Sequence, residues 1–279
     1  MGEVTFLGRG STPILSQMDQ RAPHTSQTLS SDLLGLGVRA GDVLLLHASN
    51  RSVGYVAGGV QAVVEALLAV LGPQGTLVVP THTGDNSDPA GWQHPPVPQQ
   101  WWPVIREQAP AFDPLRTPSR WMGVLAETVR TWPGTRRSDH PQVSFAACGA
   151  HAADVVGEHQ LDDALGERSP LGAIYRLDGK VLLLGCGHGS NTSLHLAEWR
   201  QPSPPRGVEG ASVRQPDGTG RWITWTDVVP DEADFEQLGT DFEAAVGVAI
   251  GQVGSATARL MSQRILVDFA ITWIATNRP

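Results

Sequence analysis

The segment Asp42–Pro80 constrains the fold more than any other part of the chain. It runs from an apolar strand (Asp42–Leu46) through a polar turn to an apolar helix (Val60–Val70) and a second strand (Thr76–Pro80). Glycines precede the helix, and a Gly-Pro-Gln-Gly stop signal follows it. A strand, helix and strand in so short a segment predict a βαβ unit, so at least part of the sheet is parallel with right-handed crossovers.

Polar side chains follow both strands of this unit. His47 and Ser49 come after the first strand, and His82 and Asp85 come after the second. Because the carboxyl ends of parallel strands share one edge of a sheet, the two loops are expected to lie side by side. This edge is where a ligand site is expected.

A second constraining stretch begins with the apolar strand Val181–Leu184, which runs into the glycine-rich turn Gly185–Gly189. The N-cap candidates 190–193 then predict a helix with His195 in its first turn and Glu198 three residues on, on the same face. A histidine beside a carboxylate past a strand end fits an oriented general base. On spacing alone, a surface histidine with a capping glutamate is the simpler interpretation.

The rest of the chain predicts one compact α/β domain over residues 25–279, preceded by a mobile leader at 1–24. Residues 81–114 are rich in proline and tryptophan, and so long an irregular loop is typical of a functional segment. A hairpin is expected over 211–225 and a mostly helical region over 231–274. Further predicted elements are helices at 25–36, 122–130, 151–158 and 172–177 and a strand at 143–147.

Charge and composition exclude several classes of protein. The formal net charge is −8, from 28 acidic and 20 basic residues, which argues against a nucleic-acid partner and favours neutral or cationic ligands. Two cysteines, Cys148 and Cys186, give neither a disulfide framework nor a metal-ligand pair. Because the chain has no apolar stretch of about 18 residues and no signal-peptide pattern, it is predicted to be cytoplasmic with no membrane partner.

Several long blocks of the chain resemble the aminoglycoside 3-N-acetyltransferase family, over roughly residues 25 to 274. The resemblance implies an α/β fold with a mixed, partly parallel central sheet flanked by helices, of the antibiotic N-acetyltransferase type and not the GNAT fold. The blocks that carry it include HAS with SVG and GG at 47–59, GTLVVPTHTGD, WWPVIREQAPAFDP, MGVLAETVRTWPG, RRSDHPQVSFAACG, SPLGAIYRLDGKVLLLGCGHGSNTSLHLAE and RLMSQRILVDFA.

The family implies transfer of an acetyl group from acetyl-CoA to the 3-amino group of a 2-deoxystreptamine antibiotic. An ammonium group must lose a proton before it can attack, so a base near neutral pH is required. His195 matches the family's catalytic histidine, and Glu198 matches its carboxylate partner. Thr192 is a candidate donor to the developing oxyanion, or equally a helix cap. His188 is set aside because no carboxylate follows it at three or four residues.

Cofactor binding, by resemblance, falls first on the loop after the first strand. Hydroxyls and backbone amides at a helix start suit a pyrophosphate. The residues are Ser49, Ser52, Val53, Gly54, Gly58 and Gly59. A second group comprises Ser138, His140, Ser144 and Phe145.

The acceptor is a polycation, so carboxylates are expected to hold it. Asp85 matches a substrate-side acid of the family, and Asp227 lies near another, with its register open. Trp101 and Trp102 pack either on sugar rings or on the core.

Two other functions remain open at this point. The same chemistry could act on a non-antibiotic amine in biosynthesis, or the chain could bind coenzyme A without turnover. No metal cofactor is expected, because the histidines lack the usual ligand spacing. A homodimer is one open alternative for the assembly.

Overall fold

A central sheet of seven strands dominates the computed structural model of the protein, which describes residues 22–278. The strands of this sheet and of a separate hairpin are, in chain order, β1 (Val43–Ala48), β2 (Thr76–Pro80), β3 (Arg136–Arg137), β4 (Phe145–Gly149), β5 (Lys180–Leu184), β6 (Arg206–Arg214), β7 (Gly220–Val228), β8 (Ala249–Val253) and β9 (Ala256–Ser262). The sheet order is β3-β4-β2-β1-β5-β9-β8, and β6 and β7 form a separate hairpin. The helices are α1 (Ser26–Leu36), α2 (Gly59–Leu71), α3 (Trp102–Gln108), α4 (Gly123–Arg130), α5 (Ala152–Val156), α6 (Pro170–Arg176), α7 (Ser193–Trp199), α8 (Phe235–Val246) and α9 (Gln263–Asn277).

The predicted βαβ unit forms the parallel centre of this sheet. β1 pairs in parallel with β2 on one side and with β5 on the other, with Leu45 opposite Val78 and Val181. The outer pairs are antiparallel: β2 with β4, β4 with β3, β5 with β9 and β9 with β8. The prediction of a mixed, partly parallel sheet flanked by helices is confirmed.

Alternate residues of the central strands feed two cores, one on each face of the sheet. Leu44 and Leu46 of β1 pack with α1, α2 and α4, whereas Val43 and Leu45 pack with α5 to α9. Since both faces are covered, the strands need apolar residues at every position, which explains their unbroken hydrophobic runs. The carboxyl ends of β1, β2 and β5 remain as one open edge.

The prediction that residues 231–274 are mostly helical is correct for α8 and α9 but wrong for residues 249–262. Between α8 and α9 the chain forms the β8–β9 hairpin, which turns at Gly254 with a φ of +61°. β9 pairs with β5, with Leu182 opposite Leu260, and so covers the second edge of a strand that is buried from Val181 to Leu184. Helix-forming residues adopt strand geometry here because β5 requires a hydrogen-bonding partner, which the local pattern does not reveal.

The segment 81–114 is also more ordered than its composition indicates. It contains α3, whose first turn holds Pro103, a position that tolerates proline. The predicted hairpin is confirmed and extends further at both ends, because β6 and β7 pair from Arg206↔Val228 to Arg214↔Gly220. The hairpin is therefore long enough to reach back to the edge of the main sheet.

The predicted leader, residues 1–24, lies outside the described residues except at its last positions, where His24 forms a parallel bridge with Val56. In the part of the chain that the structure describes, none of the helices has the length and apolar character needed to cross a bilayer.

Two helical glycines provide a matched test of the packing between α8 and the turn after β5. A methyl group at Gly239 would overlap the His188 imidazole, whereas the same group at Gly35 would meet nothing within 4 Å. We expect Gly239→Ala to lower the free energy of unfolding by about 1–3 kcal/mol through overpacking. Gly35→Ala is expected to raise it by up to about 1 kcal/mol through helix propensity.

Urea denaturation followed by circular dichroism measures both changes. Equal effects of the two substitutions would contradict the tight packing of α8 on His188.

Candidate active site

A cavity of about 410 Å³ lies at the open carboxyl edge of the parallel strands. Three histidines line it: His47 at the end of β1, His82 after β2, and His195 on α7, which follows β5. Thr192 and Phe235 complete this part of the wall. Residues distant in sequence thus meet where the parallel arrangement predicts a site.

His195 and Glu198 form a buried hydrogen-bonded pair. His195 Nδ1 lies 2.6 Å from Glu198 Oε2, and the two residues are 9% and 4% exposed. The spacing of three residues on α7 brings them together, as the sequence predicts. Because Nδ1 is engaged by the carboxylate, Nε2 is the ring nitrogen left to act on a molecule in the cavity. Burial excludes the interpretation of a surface histidine beside a capping glutamate.

Thr192 does not cap α7 with its side chain. Its hydroxyl Oγ1 instead lies 3.3 Å from His47 Nε2 and borders the cavity. Burial, with the nearby charge of His195, lowers the pKa of His47 to about 3. His47 is therefore a neutral hydrogen-bonding partner that orients the Thr192 hydroxyl.

A second cavity of about 350 Å³ adjoins the first, since both share His82, Trp121 and Pro230. Burial and nearby cationic groups lower the pKa of His82 to about 3, so its imidazole is neutral. Trp121 has a φ of +60° and is 74% exposed, with its ring against Gly84. This tryptophan was missed at the sequence level, because nothing local distinguishes it from other aromatic loop residues.

Two acids from the hairpin line the second cavity: Glu209 of β6 and Asp227 of β7. Burial raises the pKa of each carboxyl group. Asp227 accepts hydrogen bonds from Ala164 N, Val228 N and Trp199 Nε1, at 2.9, 2.7 and 3.1 Å. Glu209 Oε2 lies 3.3 Å from Gln142 Nε2. Glu209 is thus the less engaged of the two acids, and it was not singled out from the sequence.

The first group of predicted cofactor residues lies on the rim of the sheet edge. Ser52 borders a surface depression of about 550 Å³ with Cys186, which also lines the first cavity. The Ser52 hydroxyl donates to Ser49 Oγ and to the Gly185 carbonyl, at 3.0 and 3.2 Å. The backbone beside it differs in exposure: Val53 is fully buried, and Gly54, Gly58 and Gly59 are exposed.

The second group has no side-chain surface left for a cofactor in this conformation. Ser138, His140, Ser144 and Phe145 are each 0% exposed. The Ser138 hydroxyl accepts from Phe145 N at 2.9 Å, and the Ser144 hydroxyl donates to the Thr81 carbonyl at 2.9 Å. Both serine contacts fasten the start of β4 to its neighbours. These residues were predicted by resemblance to the family, and a resemblance does not show whether a polar side chain contacts a ligand or makes a buried hydrogen bond.

The predicted acceptor residues outside the hairpin do not line either cavity, although Arg120, the partner of Asp85, lines the second one. Asp85 is exposed, 3.5 Å from the Arg120 guanidinium. Trp101 is 54% exposed, and Trp102 lies under the guanidinium of Arg106, 5.8 Å from its ring centre. Asp227 is the one member of the predicted set that lines either of these two cavities.

His188 has a carboxylate partner that the sequence did not reveal. Its Nε2 lies 2.9 Å from Glu243 Oε1 of α8, and Glu243 also pairs with Arg259 at 2.7 Å. These contacts fasten α8 to the turn after β5. The sequence argument against His188, that it lacks a carboxylate partner, therefore does not hold in the structure.

The family model described as aminoglycoside 3-N-acetyltransferase matches residues 45–275. The prophage-derived aminoglycoside N(3')-acetyltransferase-like protein YokD of Bacillus subtilis is 41% identical over 256 residues, 91% of this chain and 94% of the relative. Aminoglycoside N(3)-acetyltransferase III of Pseudomonas aeruginosa is 37% identical over 274 residues, 93% and 96% of the two chains.

Solved structures agree with these matches over nearly the whole chain. The crystal structure of YokD has a TM-score of 0.90 at 40% identity, covering 92% of this chain and 95% of that one. AAC-IIIb in binary complex with CoASH has a TM-score of 0.81 at 31% identity, covering 92% and 99%. AAC-VIa bound to sisomicin has a TM-score of 0.81 at 33% identity, covering 91% and 98%. The chain therefore belongs to the aminoglycoside 3-N-acetyltransferase family, whose named members are acyltransferases.

Proposed function

We propose that the protein transfers the acetyl group of acetyl-CoA to the 3-amino group of a 2-deoxystreptamine aminoglycoside, and so confers antibiotic resistance. His195 is the general base, and Glu198 orients it. The observation that carries the proposal is the 2.6 Å contact between His195 Nδ1 and Glu198 Oε2 in the wall of the cavity. A carboxylate on Nδ1 fixes the tautomer in which Nε2 is unprotonated and can accept a proton.

The base acts on the acceptor amine. His195 Nε2 takes the proton that the attacking nitrogen must lose, and the resulting imidazolium is stabilised by the Glu198 carboxylate. The Thr192 hydroxyl, oriented by neutral His47, is the candidate donor to the carbonyl oxygen as negative charge develops there.

The donor side fits a long thioester that enters from the surface. Cys186 borders both the surface depression and the catalytic cavity, so the two are continuous at this residue. A side chain at Gly185 would overlap Ser52, and one at Gly187 would overlap Glu236, so this turn requires glycine in order to pack against neighbouring side chains. Acetyl-CoA supplies an activated acetyl group when bound. The CoASH complex of the relative AAC-IIIb supports this choice.

The second cavity suits a cationic acceptor. Glu209 and Asp227 supply carboxyl groups, and Trp225 and Trp121 supply aromatic faces for sugar rings. The cavity meets the catalytic one at His82, so an amine held there can reach His195. The sisomicin complex of the relative AAC-VIa supports an acceptor of this class.

Replacement of the base tests the mechanism. We expect His195→Ala to lower kcat for thiol release from acetyl-CoA by at least about a hundredfold with an aminoglycoside acceptor, the scale of general base catalysis. Glu198→Gln should cause a smaller loss, because the imidazole remains and only its orientation and charge partner change. His151→Ala is the matched control, since this histidine is 42% exposed and pairs with Asp154 at the surface.

An assay against a panel of amines identifies the acceptor class. Full activity of His195→Ala would contradict the assignment of the base. A second outcome is turnover with other amines but none with 2-deoxystreptamine antibiotics, together with no gain of drug tolerance in an expression host. That outcome would mean that the acceptor is a different amine, while the proposed acetyl transfer itself stands.

The role of Glu209, the less engaged of the two hairpin acids, is tested separately. We expect Glu209→Gln to raise KM for the aminoglycoside about tenfold with little change in kcat, because a charge-assisted contact present in both ground and transition states is lost. Steady-state kinetics at saturating acetyl-CoA measures both constants. Glu65→Gln on the outer face of α2 is the control. An unchanged KM in Glu209→Gln would place the acceptor elsewhere.

A further inference from the structure

Arg278 forms an ion pair with Glu198, the carboxylate that orients the proposed base. Arg278, just after α9, lies beyond the segment 45–275 matched by the family model. We propose that Arg278 is a positioning residue for acyl transfer: it holds Glu198 as a fixed anion and limits how far that anion stabilises the protonated form of His195. The inference rests on the proposed role of His195 as the base.

Glu198 divides its two oxygens between the base and this cation. Oε2 contacts His195 Nδ1 at 2.6 Å, and Oε1 pairs with Arg278 Nη1. The backbone N–H of Asp231 also donates to Oε1, at 3.1 Å. Because the carboxylate is 4% exposed, these contacts replace the water that would otherwise solvate it.

Arg278 is itself held on several sides. Its Nε donates to Asp234 Oδ2 at 2.7 Å, and a second guanidinium nitrogen contacts Asp234 Oδ1. Its Nη2 donates to the Asp231 carbonyl at 2.7 Å. Hydrogen bonds to Asp234, and then the pairing with Glu198, raise the pKa of Arg278, so it is charged at every working pH.

Phe235 connects the same cation to the imidazole by packing. Its ring centre lies 4.8 Å from that of His195, and the Arg278 guanidinium carbon lies 5.7 Å from it. A movement of Arg278 would therefore disturb both the carboxylate and the apolar surface behind the base.

Several titratable groups face His195 from the elements around it. They are Glu198 of α7, His47 of β1, His82 after β2, Cys186 after β5, Asp231, Glu232 and Asp234 before α8, and Arg278 after α9. Burial lowers the pKa of His47 and of His82 to about 3 and raises that of the Cys186 thiol to about 11. Between pH 6 and pH 9 these three groups are neutral, so the carboxylates and Arg278 set the local charge.

The sign of the effect follows from electrostatics. Without Arg278, the negative charge of Glu198 would be uncompensated and would favour the imidazolium form of His195. The base would then stay protonated, and therefore inactive, to a higher pH. Loss of Arg278 thus weakens the enzyme most at low pH and least at high pH, whereas a general loss of folded structure lowers activity at every pH.

The pH profile of kcat/KM measures this difference in the full chain. We expect Arg278→Gln to move the acidic limb upward by about one pH unit, the shift typical of losing an adjacent charge. That shift corresponds to about a tenfold loss of kcat/KM on the acidic limb and to little loss on the plateau above it. Arg278→Lys keeps the charge and is expected to restore most of the wild-type profile.

Two further variants keep the test decisive. Arg264→Gln, near the start of α9, removes a cation that pairs with Asp178 and should leave the profile unchanged. Asp234→Asn removes the anion that shares Arg278 with Glu198, so the Arg278 charge acts more fully on Glu198 and the limb should move downward. This variant decides the outcome if Arg278→Gln does not fold.

The possible failures are distinguishable. If His195→Ala keeps full activity, the proposed function itself fails. If His195→Ala is inactive but Arg278→Gln lowers kcat/KM by one factor at all pH values, Arg278 is only structural and the inference is overturned. An unchanged profile in Asp234→Asn, when Arg278→Gln does not fold, also overturns it.

Discussion

Parallel hydrogen bonding among β2, β1 and β5 is the constraint from which the rest of the structure follows. It brings three strand ends to one edge, and each contributes to the same cavity: His82, His47 and, through α7, His195. The antiparallel strands on either side complete the backbone pairing of β2 and β5 and leave this edge open. A ligand site at the carboxyl ends of parallel strands is the expected result of such a sheet.

Burial controls the chemistry of the cavity as much as residue identity does. His47 and His82 are kept neutral, which leaves His195, with its carboxylate partner, as the histidine equipped to take a proton. Glu198 is also buried, so its carboxylate is stabilised by donors that are distant in sequence, Asp231 N and Arg278, instead of by water. The site is therefore an arrangement of three neighbouring segments: the sheet edge, α7, and the loop and helix end that carry Asp231 and Arg278.

The two cavities meet at His82 and Trp121, and in the proposed reaction the two substrates enter the site by different routes. The donor is expected from the surface depression beside Cys186, and the acceptor from the cavity under the β6–β7 hairpin. The hairpin lies outside the main sheet, so the acids proposed to hold the acceptor belong to a different element from the proposed base.

The sequence alone determined what depends on near neighbours along the chain. The βαβ unit, the strand before α7 and the pairing of His195 with Glu198 all follow from local periodicity and from spacing on one helix turn. The tertiary structure decided what depends on distant contacts. It paired residues 249–262 as strands next to β5, buried Ser138, His140 and Ser144, placed Glu209 and Trp121 at the second cavity, and brought Arg278 to Glu198. Polarity in a sequence shows that a side chain needs a hydrogen-bonding partner, but only the folded chain shows which partner it has.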